Sequence, residues 1–98
     1  MPYITNTDKD RLGVGVDASR TLFQIGENCK TAGELNYTIT NIIQGYLVEN
    51  QKCYQTMNDI IGALEGVKLE FYRRIVENYE NEKIALNGDV MHEDLKEE

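Results

Sequence analysis

The 98-residue chain has one histidine, one proline, two cysteines and no tryptophan, and its basic side chains number only 10 against 17 acidic ones. Each shortage removes a class of reading. The one histidine, His92, lies in the acidic stretch His92-Glu93-Asp94-Leu95-Lys96-Glu97-Glu98. There is therefore no histidine-rich metal spacing, and no nucleophile–base pair is legible. Cys29 and Cys53 share no metal or redox spacing, so two free thiols and a cytoplasmic location are expected. No apolar run approaches the ~20 residues that a membrane span needs. The opening Met1-Pro2-Tyr3-Ile4-Thr5 has neither a charged nor an apolar signal region, so no secretory signal is expected. A net charge of −7 argues against nucleic acid and anionic membranes as general partners. Phosphate-binding glycine loops, internal repeats and low-complexity segments are also missing.

What is present is helical periodicity. Pro2, Gly13, Gly15 and the charged run Asp8-Lys9-Asp10-Arg11 predict an irregular arm over residues 1–16. Asp17 is placed to cap a short helix to about Cys29, with Leu22, Ile25 and Phe23 facing inward. Thr31-Ala32-Gly33-Glu34 has the form of a capping box, in which Thr31 bonds the Glu34 amide and Glu34 reaches back. The helix it opens runs to about Glu49 with an apolar stripe of Leu35, Ile39, Ile42, Ile43, Tyr46 and Leu47. A turn through Asn50, Gln51 and Lys52 leads to a longer helix from about Thr56 to Tyr79. Its stripe is Met57, Ile60, Ile61, Leu64, Val67, Phe71, Tyr72, Ile75 and Tyr79 at 100° per residue. Past Tyr79 the stripe loses phase: Glu82 lands on the seam and Ile84 on the back. That predicts a kink or a separate short helix over about 81–86, with Asn87-Gly88 closing the helical region. Residues 17–88 then form a single helical domain, and residues 89–98 an acidic, disordered tail.

The candidate functional residues crowd the long helix. Lys68 projects into the apolar stripe and Glu65 borders it, so a buried pair and a functional polar site are equally good accounts of the two. Glu70, Arg73, Arg74 and Glu77 are spaced for i,i+3 and i,i+4 ion pairs of a surface helix. Tyr72 adds a polar handle on the stripe. Glu34 could ligate a metal, but the capping box already accounts for it. The candidate cluster is thus Glu34, Glu65, Lys68, Glu70, Tyr72, Arg73 and Arg74, with no catalytic residue assigned, no metal ligands and no cofactor.

Both long helices carry a second face that is not simply charged: Gly62, Gly66, Leu69 and Val76 on one, Tyr37, Asn41 and Val48 on the other. Two such helices need more cover than 98 residues supply. The expected fold is all-α: a short N-terminal helix plus two long antiparallel helices, assembling into an intermolecular helical bundle as a homodimer or higher oligomer.

The blocks Gly33-Glu34-Leu35-Asn36-Tyr37-Thr38-Ile39-Thr40, Ile60-Ile61-Gly62-Ala63-Leu64-Glu65, Lys68-Leu69-Glu70-Phe71-Tyr72-Arg73-Arg74 and Asn87-Gly88-Asp89-Val90 resemble a family of small phage and bacterial proteins. The opening Met1-Pro2-Tyr3-Ile4 fits it too, and the likeness covers most of residues 1–90. It implies no activity. In many members the stretch before Glu80 contains a proline, whereas here it reads Glu77-Asn78-Tyr79-Glu80, so the helix is expected to run on. A weaker, architectural likeness is to the MazG-like all-α nucleoside triphosphate pyrophosphatases, which would imply Mg²⁺ held on helix-borne carboxylates. Their Glu-x-x-Glu and Glu-x-x-Asp pairs are absent here except at Glu77–Glu80. The leading expectation is a non-enzymatic accessory protein that binds itself and a protein partner. The alternatives are a Mg²⁺-dependent pyrophosphohydrolase and an acidic nucleic-acid mimic.

Overall fold

Local capping chemistry sets where the chain enters and leaves its helices. The computed structural model describes residues 2–12 and 15–96, and for residues 15–20 the backbone alone. Five α-helices follow in order: α1 (Asn6–Arg11), α2 (Gly15–Asn28), α3 (Ala32–Glu49), α4 (Tyr54–Phe71) and α5 (Glu77–Asn87), with a π-helical segment, Tyr72–Val76, joining the last two. A 3₁₀ turn at Glu93–Leu95 lies in the acidic tail. No strand occurs among the described residues, and the chain is all-α.

The segment expected to be an irregular arm carries α1. Thr5 caps it, its Oγ1 accepting from the Asp8 amide at 3.2 Å, while Arg11 lies 3.6 Å from the Asp8 carboxylate. The second helix begins at Gly15, so Asp17 stands inside its first turn and is not its cap residue; the Asp17 side chain lies outside the described residues. At α3 the Thr31 hydroxyl accepts from the Glu34 amide at 3.1 Å, as the capping box requires. Glu34 reaches one residue further back than that motif specifies, accepting from the Lys30 amide at 2.9 Å. Asn50 closes α3 through both its amides, backbone and side chain, onto the Tyr46 carbonyl at 3.0 and 2.9 Å.

The α3–α4 turn contains Gln51 at φ 71°, a left-handed conformation that costs a non-glycine residue about 1–2 kcal/mol. Thr56 holds this turn in place. It is 5% exposed, the only residue among those described that is buried, and its hydroxyl donates to the Asn50 carbonyl at 3.0 Å. At the other end Gly88 caps α5 with φ 89° and ψ 158°, a region open essentially to glycine alone.

No break occurs near Asn81. The helix continues through the π segment, whose extra residue retards its phase by roughly 100°. That retardation brings Val76 and Leu86 to the face of Ile60, Leu64, Val67 and Phe71, and it accounts for the phase loss that the sequence shows past Tyr79. Helices α4 to α5, at 1.5 Å per residue, span about 50 Å, which matches the longest molecular dimension of 50 Å.

Packing is sparse. Helix α1 packs on α2 and α3 on α4, but no side chain among the described residues is fully buried. Leu22, Phe23 and Ile25, expected to face inward, are exposed, since nothing among the described residues covers that face of α2. A Cβ built on Gly62 or Gly66 would meet nothing within 4 Å, so among the described residues no other backbone approaches the glycine face. The accessible surface is 8933 Å², where a folded monomer of 11.2 kDa has about 5,700 Å². The radius of gyration is 17.9 Å, against about 12.6 Å for a close-packed domain of this length.

Candidate functional site

The seven candidate residues fall into four places. Glu34 is spent at the start of α3. Glu65 and Lys68 do meet, at 3.6 Å, but their side chains are 55% and 72% exposed. The pair is a solvated i,i+3 contact worth a few tenths of a kcal/mol, not the buried pair that the helical phase allowed.

Glu70, Arg73 and Arg74 come together, with a residue that sequence reasoning missed. The Tyr3 hydroxyl donates to Glu70 Oε1, and Arg74 Nη1 donates to the Tyr3 oxygen at 3.3 Å. Arg73 Nη2 donates to both Glu70 oxygens, at 3.1 and 3.3 Å, and Arg74 stands 3.8 Å away. Glu70 is the most enclosed acid of the group, its side chain 25% exposed. The Tyr3 hydroxyl, followed by the Arg73 and Arg74 charges, holds its carboxyl below the ordinary carboxylate range. The Glu70 carboxylate in turn raises Arg73.

Tyr72 forms the fourth place, its hydroxyl donating to both Glu80 oxygens at 2.9 and 3.0 Å. In an unbroken α-helix residues eight apart are about 80° out of register. The π segment between them removes that offset, which is why no i,i+4 rule anticipates the pair. The Glu80 carboxylate raises the Tyr72 phenol above its ordinary value, by hydrogen bond and by charge.

Chemically this cluster is a clasp. Glu70 receives hydrogen bonds from Tyr3 and Arg73 and is held ionised, leaving it a poor base and a poor metal ligand. Its effect is to tie residues 2–5 to the end of α4. Among the described residues no three His, Cys, Asp or Glu side chains come close enough to share a metal. Cys53, at the N-terminus of α4, has Sγ 3.3 Å from the Thr56 hydroxyl, which lowers its thiol from the ordinary value. The Asn50 carbonyl competes for the same hydroxyl proton, which limits that effect.

The clasp has a defined pH signature. A carboxylate with a depressed folded pKa contributes stability above its unfolded value and loses it as pH falls through the folded one. The stability gap between the native chain and Tyr3→Phe is therefore expected to be full at neutral pH and to close in acid. For Tyr72, raised in the fold, the sign is opposite: the gap to Tyr72→Phe is expected at neutral pH and closes as pH rises past the tyrosine range. Urea midpoints against pH check both: a flat gap in the Tyr3 series contradicts the clasp, and a flat gap in the Tyr72 series contradicts the Tyr72–Glu80 bond.

The second feature is an apolar groove of about 330 Å³ between α3 and α4. Helix α3 contributes Ile39, Ile42, Ile43 and Tyr46; α4 contributes Ile60, Ala63, Leu64 and Val67. Asp59 is its only charged lining residue, and it accepts from the Gln55 side-chain amide at 2.7 Å.

Fold and site define an all-helical protein with a clasped N-terminal arm and an open apolar groove. The chain belongs to the family described as a domain of unknown function (DUF6899), whose model matches residues 1–90. Clasp and groove both lie inside that stretch. No curated protein and no solved structure matches the chain. No helix among the described residues is long and apolar enough to cross a membrane.

Proposed function

We propose that this chain is a non-enzymatic accessory protein of the phage and bacterial kind, which completes its fold by homo-oligomerisation and then binds a protein partner. One observation carries the reading: the chain exposes about 3,200 Å² more surface than a folded monomer of its mass. Much of that surface is Leu, Ile, Val, Phe and Tyr on α2, α3 and α4. Exposed apolar area on this scale is the mark of an interface, since single chains rarely leave contiguous patches of more than a few hundred Å² uncovered. Obligate interfaces bury 2,000–5,000 Å² in total, up to about 2,500 Å² from each chain, so the excess on one chain is enough to supply such an interface in full. The pyrophosphohydrolase reading would need carboxylates converging on Mg²⁺, and within one chain Glu34, Glu65 and Glu70 sit in separate hydrogen-bond settings.

Light scattering coupled to size exclusion at micromolar concentration tests the reading. The expected mass is at least twice 11.2 kDa. A monodisperse, helical monomer would overturn it.

A further inference from the structure

We propose that the groove between α3 and α4 seats a second copy of this chain, with Val67 and Ile42 of each copy entering the groove of the other about a two-fold axis. This rests on the oligomeric reading above and specifies its surface.

The groove has the chemistry of a buried interface. Its volume, about 330 Å³, is some ten times the ~30 Å³ that one liquid water occupies. Its walls offer almost no polar partner to hold such water, so side chains are the occupant that fits. The same face supplies those side chains: Val67 on one wall is 62% exposed and Ile42 on the other 59%. A recess and the ridges that fill it on one surface form a self-complementary patch, the requirement of a two-fold contact.

Area and charge favour a copy over an unrelated protein. A standard complex takes about 800 Å² from each partner, a quarter of the surface this chain leaves in excess. A chain needing that much cover requires its partner at equal number from the moment it folds, and a second copy always meets that condition. Two chains of charge −7 repel wherever their charged faces meet. Here the lining carries Asp59 alone, and its carboxylate already holds the Gln55 amide.

Thiol footprinting of the full chain tests the surface. In a Cys29→Ser, Cys53→Ser background, Val67→Cys reports the groove and Leu69→Cys reports another face of α4, where Leu69 is 59% exposed. Both positions are accessible in a single chain, so differential protection requires an intermolecular cover. Alkylation by a maleimide is expected to be at least tenfold slower at position 67 than at 69, with the gap vanishing on dilution as the mass falls to that of one chain. Comparable rates at the two positions in a sample of dimer mass would overturn the groove assignment and leave oligomerisation standing. Monomer mass with both thiols fast would overturn the oligomeric reading itself. Protection at 67 in a monomer would mean that the chain covers its own groove, and would equally reject the proposal. Helix content by circular dichroism verifies that each variant is folded.

Discussion

Raising the protein concentration a hundredfold is expected to raise the melting temperature by about 6–7 °C. For a dimer that dissociates as it unfolds, mass action adds RT ln 100, about 2.7 kcal/mol per dimer, to apparent stability. Unfolding entropy near 60 °C is about 2.1 cal/mol/K per residue, or roughly 0.4 kcal/mol/K for two chains. The quotient is the expected shift. The structural basis is that the described residues include no fully buried side chain, so in the proposed dimer the heat of cooperative unfolding comes from surfaces buried between chains. Calorimetry or dichroism at about 5 and 500 µM measures it. A melting temperature independent of concentration would mean that the 8933 Å² of exposed surface is tolerated by a single chain.

The helices were legible where local chemistry announces them. Thr31 and Glu34 predict the start of α3, and Asn87-Gly88 the end of α5, because caps and left-handed terminators act within four residues. Thr5-Asn6-Thr7-Asp8 has the same cap form and was available as a signal for α1. The surrounding glycines and charges point instead to an irregular arm, and the structure follows the cap. The π segment was visible only as its consequence, the phase loss beyond Tyr79, which a kink would explain equally well from sequence. An inserted residue and a broken helix differ in backbone geometry, not in side-chain order.

The site was legible in part, for a different reason. Glu70, Arg73 and Arg74 share one helix and their spacing suffices to pair them. Tyr3 lies 67 residues from Glu70 along the chain, and no periodicity connects an arm to a helix end. Lys68 does meet Glu65, as their spacing allows, but helical phase reports direction and not depth. A position on an apolar stripe is buried only if something covers it there, and among the described residues α3 covers the stripe only in part, at Ile60 and Leu64, and not at Lys68.

Leu64→Ala is expected to cost about 3 kcal/mol per chain, although Leu64 is only half-buried in the single chain. A half-exposed leucine loses part of its transfer free energy on truncation, about 1 kcal/mol. A fully buried one loses the whole term plus the cavity left behind, 2–5 kcal/mol. Leu64 lines the groove on α4, so a second copy seated there would enclose it, and the mutational cost then reports burial in the assembly. Leu69, 59% exposed and outside the groove lining, supplies the reference, with Leu69→Ala expected to cost less than about 0.5 kcal/mol. Urea unfolding at one fixed protein concentration, extrapolated linearly to water, gives both values on the same scale. A Leu64→Ala cost near 1 kcal/mol would show that the groove stays open in solution, and the cover for this chain would have to be sought on the glycine face of α4 or on α2.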